Sequence, residues 1–246
     1  MVIYMDIHSN MVMRDVVFKW LEYMGFEIIL LEIIRASYKR LDSGIKFTLG
    51  ENNGIISANT ILNLLYDLSG ETVDNEEKKY PIIRIRFEDL KLYPRQILKK
   101  LCNILGIQWN DIFLETTFAG KESVYISNGE RITGFYLKPV YHTYDEYFDA
   151  FDKFRLDLIF RKKNKAYNYS YTDRNKYPPL EEIGKLFSFP FSIEKYISFN
   201  NEKDKIKFRN KIGFLCIQLL ILEESIDKYA GHFQFGPYLA LEDGIW

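Results

Sequence analysis

The fold is decided by residues 81–106, which read PIIRIRFEDLKLYPRQILKKLCNILG. Residues 81–87 predict a strand, and Glu88-Asp89 ends it. Pro94 then opens a helix, because proline is tolerated in the first helical turn. The helix has a regular apolar face and ends at Gly106, a residue type that favours helix C-termini. The stretch therefore predicts a strand–helix unit of the kind that builds parallel sheets.

The residues upstream predict a second such unit. Residues 2–7 predict a short buried strand, and residues 27–34 predict another strand whose apolar residues do not alternate. That pattern favours a central parallel strand buried on both faces. A helix from Met11 to Met24 joins the two strands and completes a βαβ motif. The apolar side predicted for this helix consists of Val12, Val16, Trp20 and Tyr23.

The remainder of the chain is predicted to be largely helical. Further helices are expected at residues 38–49, 60–69, 144–161 and 202–229. The predicted domain boundary is Pro178-Pro179. We therefore expect an α/β domain over residues 1–177, with a parallel β-sheet flanked by helices, and a helical C-terminal extension over residues 178–246.

Composition and charge argue against several classes of function. The net charge of −1 does not favour nucleic-acid binding, which needs clustered positive charge. No apolar run reaches the eighteen or so residues of a membrane span. Cys102 and Cys216 stand among apolar residues, which favours buried thiols over a disulfide or a metal site. We expect a cytoplasmic protein with no metal, and the abundance of Asn, Ile, Lys and Tyr is typical of AT-rich bacterial genes.

The motif order resembles that of the sulfotransferase family. Members carry a strand end Tyr/Phe-Glu-Asp-Leu and then a helix that ends in Phe-Leu-Gly, and this chain has Phe87-Glu88-Asp89-Leu90 and Leu105-Gly106. The alternative is an ordinary strand–helix unit of an α/β protein. The resemblance implies a P-loop sulfotransferase-like fold, with 3′-phosphoadenosine 5′-phosphosulfate (PAPS) as sulfonate donor.

Two residues match the family's pair that binds the 3′-phosphate of PAPS. Arg35 closes a hydrophobic strand, and Ser43 follows eight residues later on the next predicted helix. An arginine offers a planar, permanently charged fork to phosphate oxygens, and a hydroxyl adds a donor. The chain departs from the family at Ala36-Ser37. The alternative interpretation is a surface arginine and a serine on a helix face.

Three further residues match the family's donor and acceptor site. The resemblance implies that Thr116 binds the adenine of PAPS and that Phe118 stacks on it. It also implies that His8 is the base that deprotonates the acceptor hydroxyl, a task that suits imidazole. The alternatives are a buried phenylalanine and a structural histidine.

The Gly-rich phosphate loop of the family is not found in the 246 residues. Such a loop contributes about 5–9 kcal/mol to donor binding. We therefore expect a chain that lacks an N-terminal segment and is weakly active or inactive. If the loop is supplied, we expect sulfonate transfer to a hydroxyl or amine of a small-molecule or carbohydrate acceptor.

Two alternative functions remain open from the sequence. A degenerate, non-catalytic family member would act through protein–protein association, with a missing N-terminal half or as a homo-oligomer. A nucleotide-dependent phosphotransferase would use Asp89 to hold a metal, but it too needs a phosphate loop. No nucleic-acid or membrane partner is expected in either case.

Overall fold

The structure is a computed structural model whose contacts group the chain into two compact units. Unit 1 comprises Met1–Arg35, Asp74–His142 and Gly236–Trp246, and unit 2 comprises Ala36–Val73 and Thr143–Phe235. The residues that the structure describes are 2–4, 11–69, 80–115, 117–118, 121–122, 124–127, 130–141, 146–169, 178–228 and 239.

Unit 1 is built on a small parallel sheet. Its strands β1 (Val2–Tyr4), β2 (Ile28–Ile34) and β3 (Ile82–Arg86) lie in the order β1-β2-β3. Helix α1 (Met11–Tyr23) connects β1 to β2. The predicted βαβ motif and the central position of β2 in this sheet are therefore confirmed. The predicted burial of β2 on both faces is wrong, since only Ile28 and Ile34 are buried and Glu32 is exposed.

The buried side of α1 differs from the predicted one. Phe18 and Leu21 are buried with Ile28 of β2. The predicted apolar side is exposed at Trp20, by 58 %, and at Tyr23, by 87 %. Apolar residues surround this helix on more than one side, so the helical period alone does not identify the face that packs against the sheet.

The segment that follows β3 is helical throughout. Helix α4 (Phe87–Leu92) begins directly after the strand, and α5 (Pro94–Leu105) follows it. Pro94 stands in the first turn of α5, and Gly106 ends it with a left-handed φ of 65°. The predicted limits of α5 are thus confirmed, because proline and glycine are local signals for helix ends. A 3-10 helix (Asp111–Leu114) comes next.

The last part of unit 1 contains short elements. Strand β4 (Thr117–Phe118) pairs with β5 (Lys121–Glu122), and β6 (Tyr125–Ser127) pairs with β7 (Glu130–Ile132), both antiparallel. Helix α6 (Lys138–Tyr141) follows. In addition, the Leu239 amide donates to the Arg84 carbonyl of β3 at 2.7 Å.

Unit 2 is helical. It contains α2 (Ser37–Glu51), α3 (Ala58–Ser69), α7 (Ala150–Ala166), α8 (Leu180–Ser188), a 3-10 helix (Ser192–Tyr196) and α9 (Glu202–Lys228). One apolar core joins these elements, with buried residues such as Leu41, Leu65, Phe160, Phe187 and Leu215. The predicted helices of this region are found. However, α7 begins later than predicted, where the Asp149 carboxylate caps the Asp152 amide at 2.8 Å.

Residues on both sides of Pro178-Pro179 belong to unit 2, and the domain boundary that the sequence predicts there stays a prediction. Helix α9 contacts α3 and α7 as well as α8. The reason is that α8 and α9 bury their apolar sides in the same core as the helices upstream.

The described chain is thus a mixed α/β protein that is mostly helical, with a small parallel sheet. Among the described residues, we find no helix with the length and apolar character that a bilayer crossing requires.

Candidate functional site

Arg35 and Phe87 come together at the carboxyl ends of two neighbouring strands. Ile34 of β2 pairs with Arg86 of β3, so the next residue of each strand lies at the same edge of the sheet. The Arg35 Cζ atom lies 4.8 Å from the centroid of the Phe87 ring. Arg35 Nη2 also donates to the Pro139 carbonyl at 3.2 Å. This edge of a parallel sheet is where α/β proteins usually bind their ligands.

The guanidinium of Arg35 is only partly satisfied by the protein. Its Nε atom is buried and has no hydrogen-bond partner among the described residues. Leaving a buried donor without a partner costs about 1–3 kcal/mol, and more for a charged group. Arg35 therefore has one donor held by Pro139 and another that an anion could engage.

Lys91 brings a second positive charge to the same ring. Its Nζ atom lies 5.6 Å from the Phe87 centroid and 5.8 Å from the Phe135 centroid. Burial lowers the pKa of Lys91 below its ordinary value of 10.5. Within the part of the chain that the structure describes, the ammonium has neither a hydrogen-bond nor an ion-pair partner. We call Arg35, Phe87, Lys91, Phe135 and Pro139 the strand-end cluster.

The carboxylate of Asp89 is engaged by a different cation. Asp89 Oδ2 lies 3.7 Å from Arg86 Nε, one helical turn away. Burial raises the pKa of Asp89, the positive charge of Arg86 lowers it, and Glu88 raises it further. Arg86 thus provides the nearby charge for Asp89, and the positive charges of the strand-end cluster are not paired with it.

The other predicted site residues are not joined to this cluster by any described contact. Ser43 is exposed on α2, which belongs to unit 2, whereas Arg35 belongs to unit 1. Their convergence on one phosphate stays a prediction. His8 and Thr116 lie outside the described residues, and Phe118 is described as part of β4 without its side chain. The roles inferred for these three residues also stay predictions.

The sequence indicates Arg35 as a ligand and Phe135 as an aromatic that could line a site, but it gives no role to Lys91 or Pro139. One available signal was the spacing of Phe87 and Lys91, which are four residues apart and therefore neighbours on a helix. That signal required α4 to be recognised, and the sequence indicated only that β3 ends there. The positions of Phe135 and Pro139 depend on long-range packing that local patterns do not encode.

The strand-end cluster combines a planar cation, a compact cation and two aromatic rings. Such a set suits a small, multiply charged anion, because the arginine can orient hydrogen bonds while the lysine adds a point charge. Searches against protein-family models, curated proteins and solved structures each found no match for this chain. The function is therefore inferred from the geometry of this cluster and from the sequence motifs.

Proposed function

We propose that unit 1 binds the phosphate groups of PAPS, or of its product 3′-phosphoadenosine 5′-phosphate (PAP), in the manner of a sulfotransferase-like protein. Arg35 is the phosphate ligand in this proposal. The observation that carries it is the buried, unpartnered Nε atom of an arginine at the carboxyl end of a parallel strand. The sequence resemblance assigns the same residue to the same group.

The surroundings of Arg35 support binding over a purely structural role. The Pro139 carbonyl and the Phe87 ring hold the guanidinium in place, but neither carries a formal charge that would neutralise it. A charge-assisted hydrogen bond from such a preorganised arginine to phosphate contributes about 1.5–3 kcal/mol. Preorganisation increases affinity, because less side-chain freedom is lost on binding.

The reaction that accompanies such binding is in-line sulfonate transfer. The acceptor oxygen or nitrogen forms a bond to the sulfur of PAPS, the bond from sulfur to the bridging oxygen breaks, and PAP leaves. His8 takes the acceptor's proton in this scheme. The scheme depends on further groups that bind the phosphosulfate, so donor binding at Arg35 is its first testable step.

Calorimetric titration of PAP tests the proposal. We expect the wild-type protein to bind PAP and Arg35→Ala to bind it about 10- to 100-fold more weakly, since one charge-assisted interaction is lost. Arg95→Ala is the matched control. Arg95 also lies over an aromatic ring of unit 1, 5.7 Å from the Trp109 centroid, but it is paired with Asp111 at 2.8 Å. Absence of PAP binding by the wild type, or equal binding by Arg35→Ala, contradicts the proposal.

A second candidate function is association with another protein chain, favoured by the exposed side of α1. Val16, Trp20, Tyr23 and Met24 are all more than half exposed there. Clustered exposed apolar residues often mark interaction surfaces. Light scattering across a concentration series, with Trp20→Ser as comparison, tests self-association. A wild-type mass that stays monomeric at every concentration contradicts the homo-oligomer.

A further inference from the structure

We propose that Lys91 is a second ligand of the same anion site, so that the strand-end cluster binds a phosphate group that carries more than one negative charge. This inference rests on the proposed function and deepens it. It assigns a role to a residue that the motif resemblance leaves without one, and it names the chemical class of the bound group: a phosphate ester or a diphosphate.

Arg35 and Lys91 lie near the same aromatic ring. Arg35 Cζ and Lys91 Nζ lie 4.8 Å and 5.6 Å from the centroid of the same Phe87 ring. Both charges therefore border the same ring at this edge of the sheet, and in this proposal one phosphate-bearing ligand contacts both. An aromatic face attracts a cation by about 0.5–2 kcal/mol, which is too little to cancel a full charge.

The positive charges of Arg35 and Lys91 are not balanced by a carboxylate among the described residues. Arg35 is held by a neutral carbonyl, and the structure gives no acidic partner to Lys91 among the residues it describes. The acidic residue closest in sequence to Lys91 is Asp89, but its carboxylate pairs with Arg86. Burial disfavours the charged form of Lys91. A bound anion would compensate this cost.

Regular secondary structure positions the backbone of both cations. Arg35 directly follows a strand whose register with β3 is fixed over five residue pairs. Lys91 lies one turn after Phe87 on α4, a helix enclosed between β3 and the helix that begins at Pro94. Both cations thus belong to or directly follow regular secondary structure, which suits a preorganised binding site. A planar fork and a point charge together complement a tetrahedral dianion.

The experiment compares two lysines that both lie over aromatic rings in unit 1. Lys91→Met and Lys91→Arg are titrated with PAP and, separately, with inorganic pyrophosphate at low salt. Lys99→Met is the matched control, because Lys99 Nζ lies 5.4 Å from the Trp109 centroid on an exposed surface. We expect Lys91→Met to weaken both ligands about tenfold, Lys91→Arg to keep most of the affinity, and Lys99→Met to match the wild type.

A second readout separates ligand contact from a structural role. Amine labelling followed by mass spectrometry should show that PAP and pyrophosphate protect Lys91, while Lys99 is labelled equally with and without them. Thermal unfolding of each variant verifies that it is folded. If Lys91→Met does not fold, Lys91→Arg and the labelling of the wild type still decide the question.

The outcomes distinguish this inference from the proposed function. PAP binding that depends on Arg35, together with unchanged binding by Lys91→Met and no protection of Lys91, overturns the inference alone. Pyrophosphate binding that depends on Lys91, in a protein that does not bind PAP, overturns the proposed function alone. If the wild type binds neither ligand, both are overturned.

Discussion

Both units hold an arginine against phenylalanine rings, and they differ in what neutralises its charge. In unit 2, Arg155 is fully buried, with its Cζ atom 3.6 Å from the Phe191 centroid and 4.5 Å from the Phe151 centroid. Its guanidinium pairs with the Asp152 carboxylate. In unit 1, Arg35 has a ring and one carbonyl but no carboxylate partner among the residues described there.

The hydrogen bonds of Arg155 show what a structural arginine looks like in this protein. It donates to the backbone carbonyls of Leu186, Phe189 and Pro190, at 3.1, 2.7 and 2.9 Å. Asp152 in turn accepts from the Ser192 amide at 2.8 Å. These bonds join α7 to the end of α8 and to the segment after it. The protein itself satisfies almost all of this group, since only Nε of Arg155 lacks a partner.

Charge compensation separates structural from ligand-binding arginines in this protein. A charge that the fold compensates contributes to stability, and its removal leaves its partners buried and unpaired. A charge that the fold leaves uncompensated contributes little to stability and is available to a ligand. Functional sites are often locally destabilising for this reason. The contrast between Arg155 and Arg35 can be tested by mutation.

The largest effect is expected for Arg155→Ala. The substitution leaves the Asp152 carboxylate buried without its cation and three carbonyls without their donor. We expect the free energy of unfolding to fall by about 3–5 kcal/mol. Urea denaturation measures it, with Arg95→Ala as an exposed control that should change stability by less than about 0.5 kcal/mol. If Arg155→Ala lowers the free energy of unfolding by less than about 1 kcal/mol, Arg155 does not have the structural role described here.

A smaller effect on stability is expected for Arg35→Ala. The ligand-free protein loses one hydrogen bond to Pro139 and the contact with Phe87, but it also loses a poorly satisfied charge. We expect the free energy of unfolding to change by less than about 1 kcal/mol in urea denaturation. A loss of stability as large as that of Arg155→Ala would show that Arg35 is a structural residue.

The smallest effect is expected for Lys91→Met, and it depends on pH. Because burial lowers the pKa of Lys91, the unfolded chain binds more protons than the folded one between that lowered pKa and 10.5. Below this window the folded protein bears the full cost of burying the charge, and above it the cost is gone. Lys91→Met should therefore be more stable than the wild type at pH 7, by less than about 1 kcal/mol since partial exposure screens the charge.

The advantage of Lys91→Met should shrink as the pH rises towards 10. Thermal unfolding of both proteins over pH 7–10 measures the difference, with Lys99→Met as the control for a general loss of positive charge. A variant that is less stable than the wild type at pH 7 would mean that the protein already compensates the charge of Lys91.

Local signals explain which parts of the fold were predictable. The limits of α5 follow from Pro94 and Gly106, and the parallel pairing of β2 with β3 follows from the strand–helix order. The predicted buried side of α1 was wrong. Whether Phe18 or Trp20 is buried depends on which side chains of the sheet lie against the helix. The grouping of α8 and α9 with the upstream helices likewise depends on a shared core that no boundary signal reports.

The candidate site was predictable only where a residue ends a strand. Arg35 could be identified because a strand end is visible in the sequence. The proximity of Arg35 to Lys91 could not be predicted, because that proximity depends on the register of β2 against β3 and on the continuation of β3 into α4. The interaction of Arg35 with Pro139 spans more than a hundred residues of sequence and is equally invisible to a local pattern.

The most direct test observes the Nε–H groups of Arg35 and Arg155 by ¹⁵N–¹H NMR while PAP is added. Both atoms are buried and lack a hydrogen-bond partner among the described residues, so each reports on a new one. Arg35→Lys removes one signal and thereby assigns it. If PAP binds at Arg35, the Arg35 signal shifts in a saturable way while the Arg155 signal stays unchanged. An Arg35 signal that does not move at saturating PAP would contradict it.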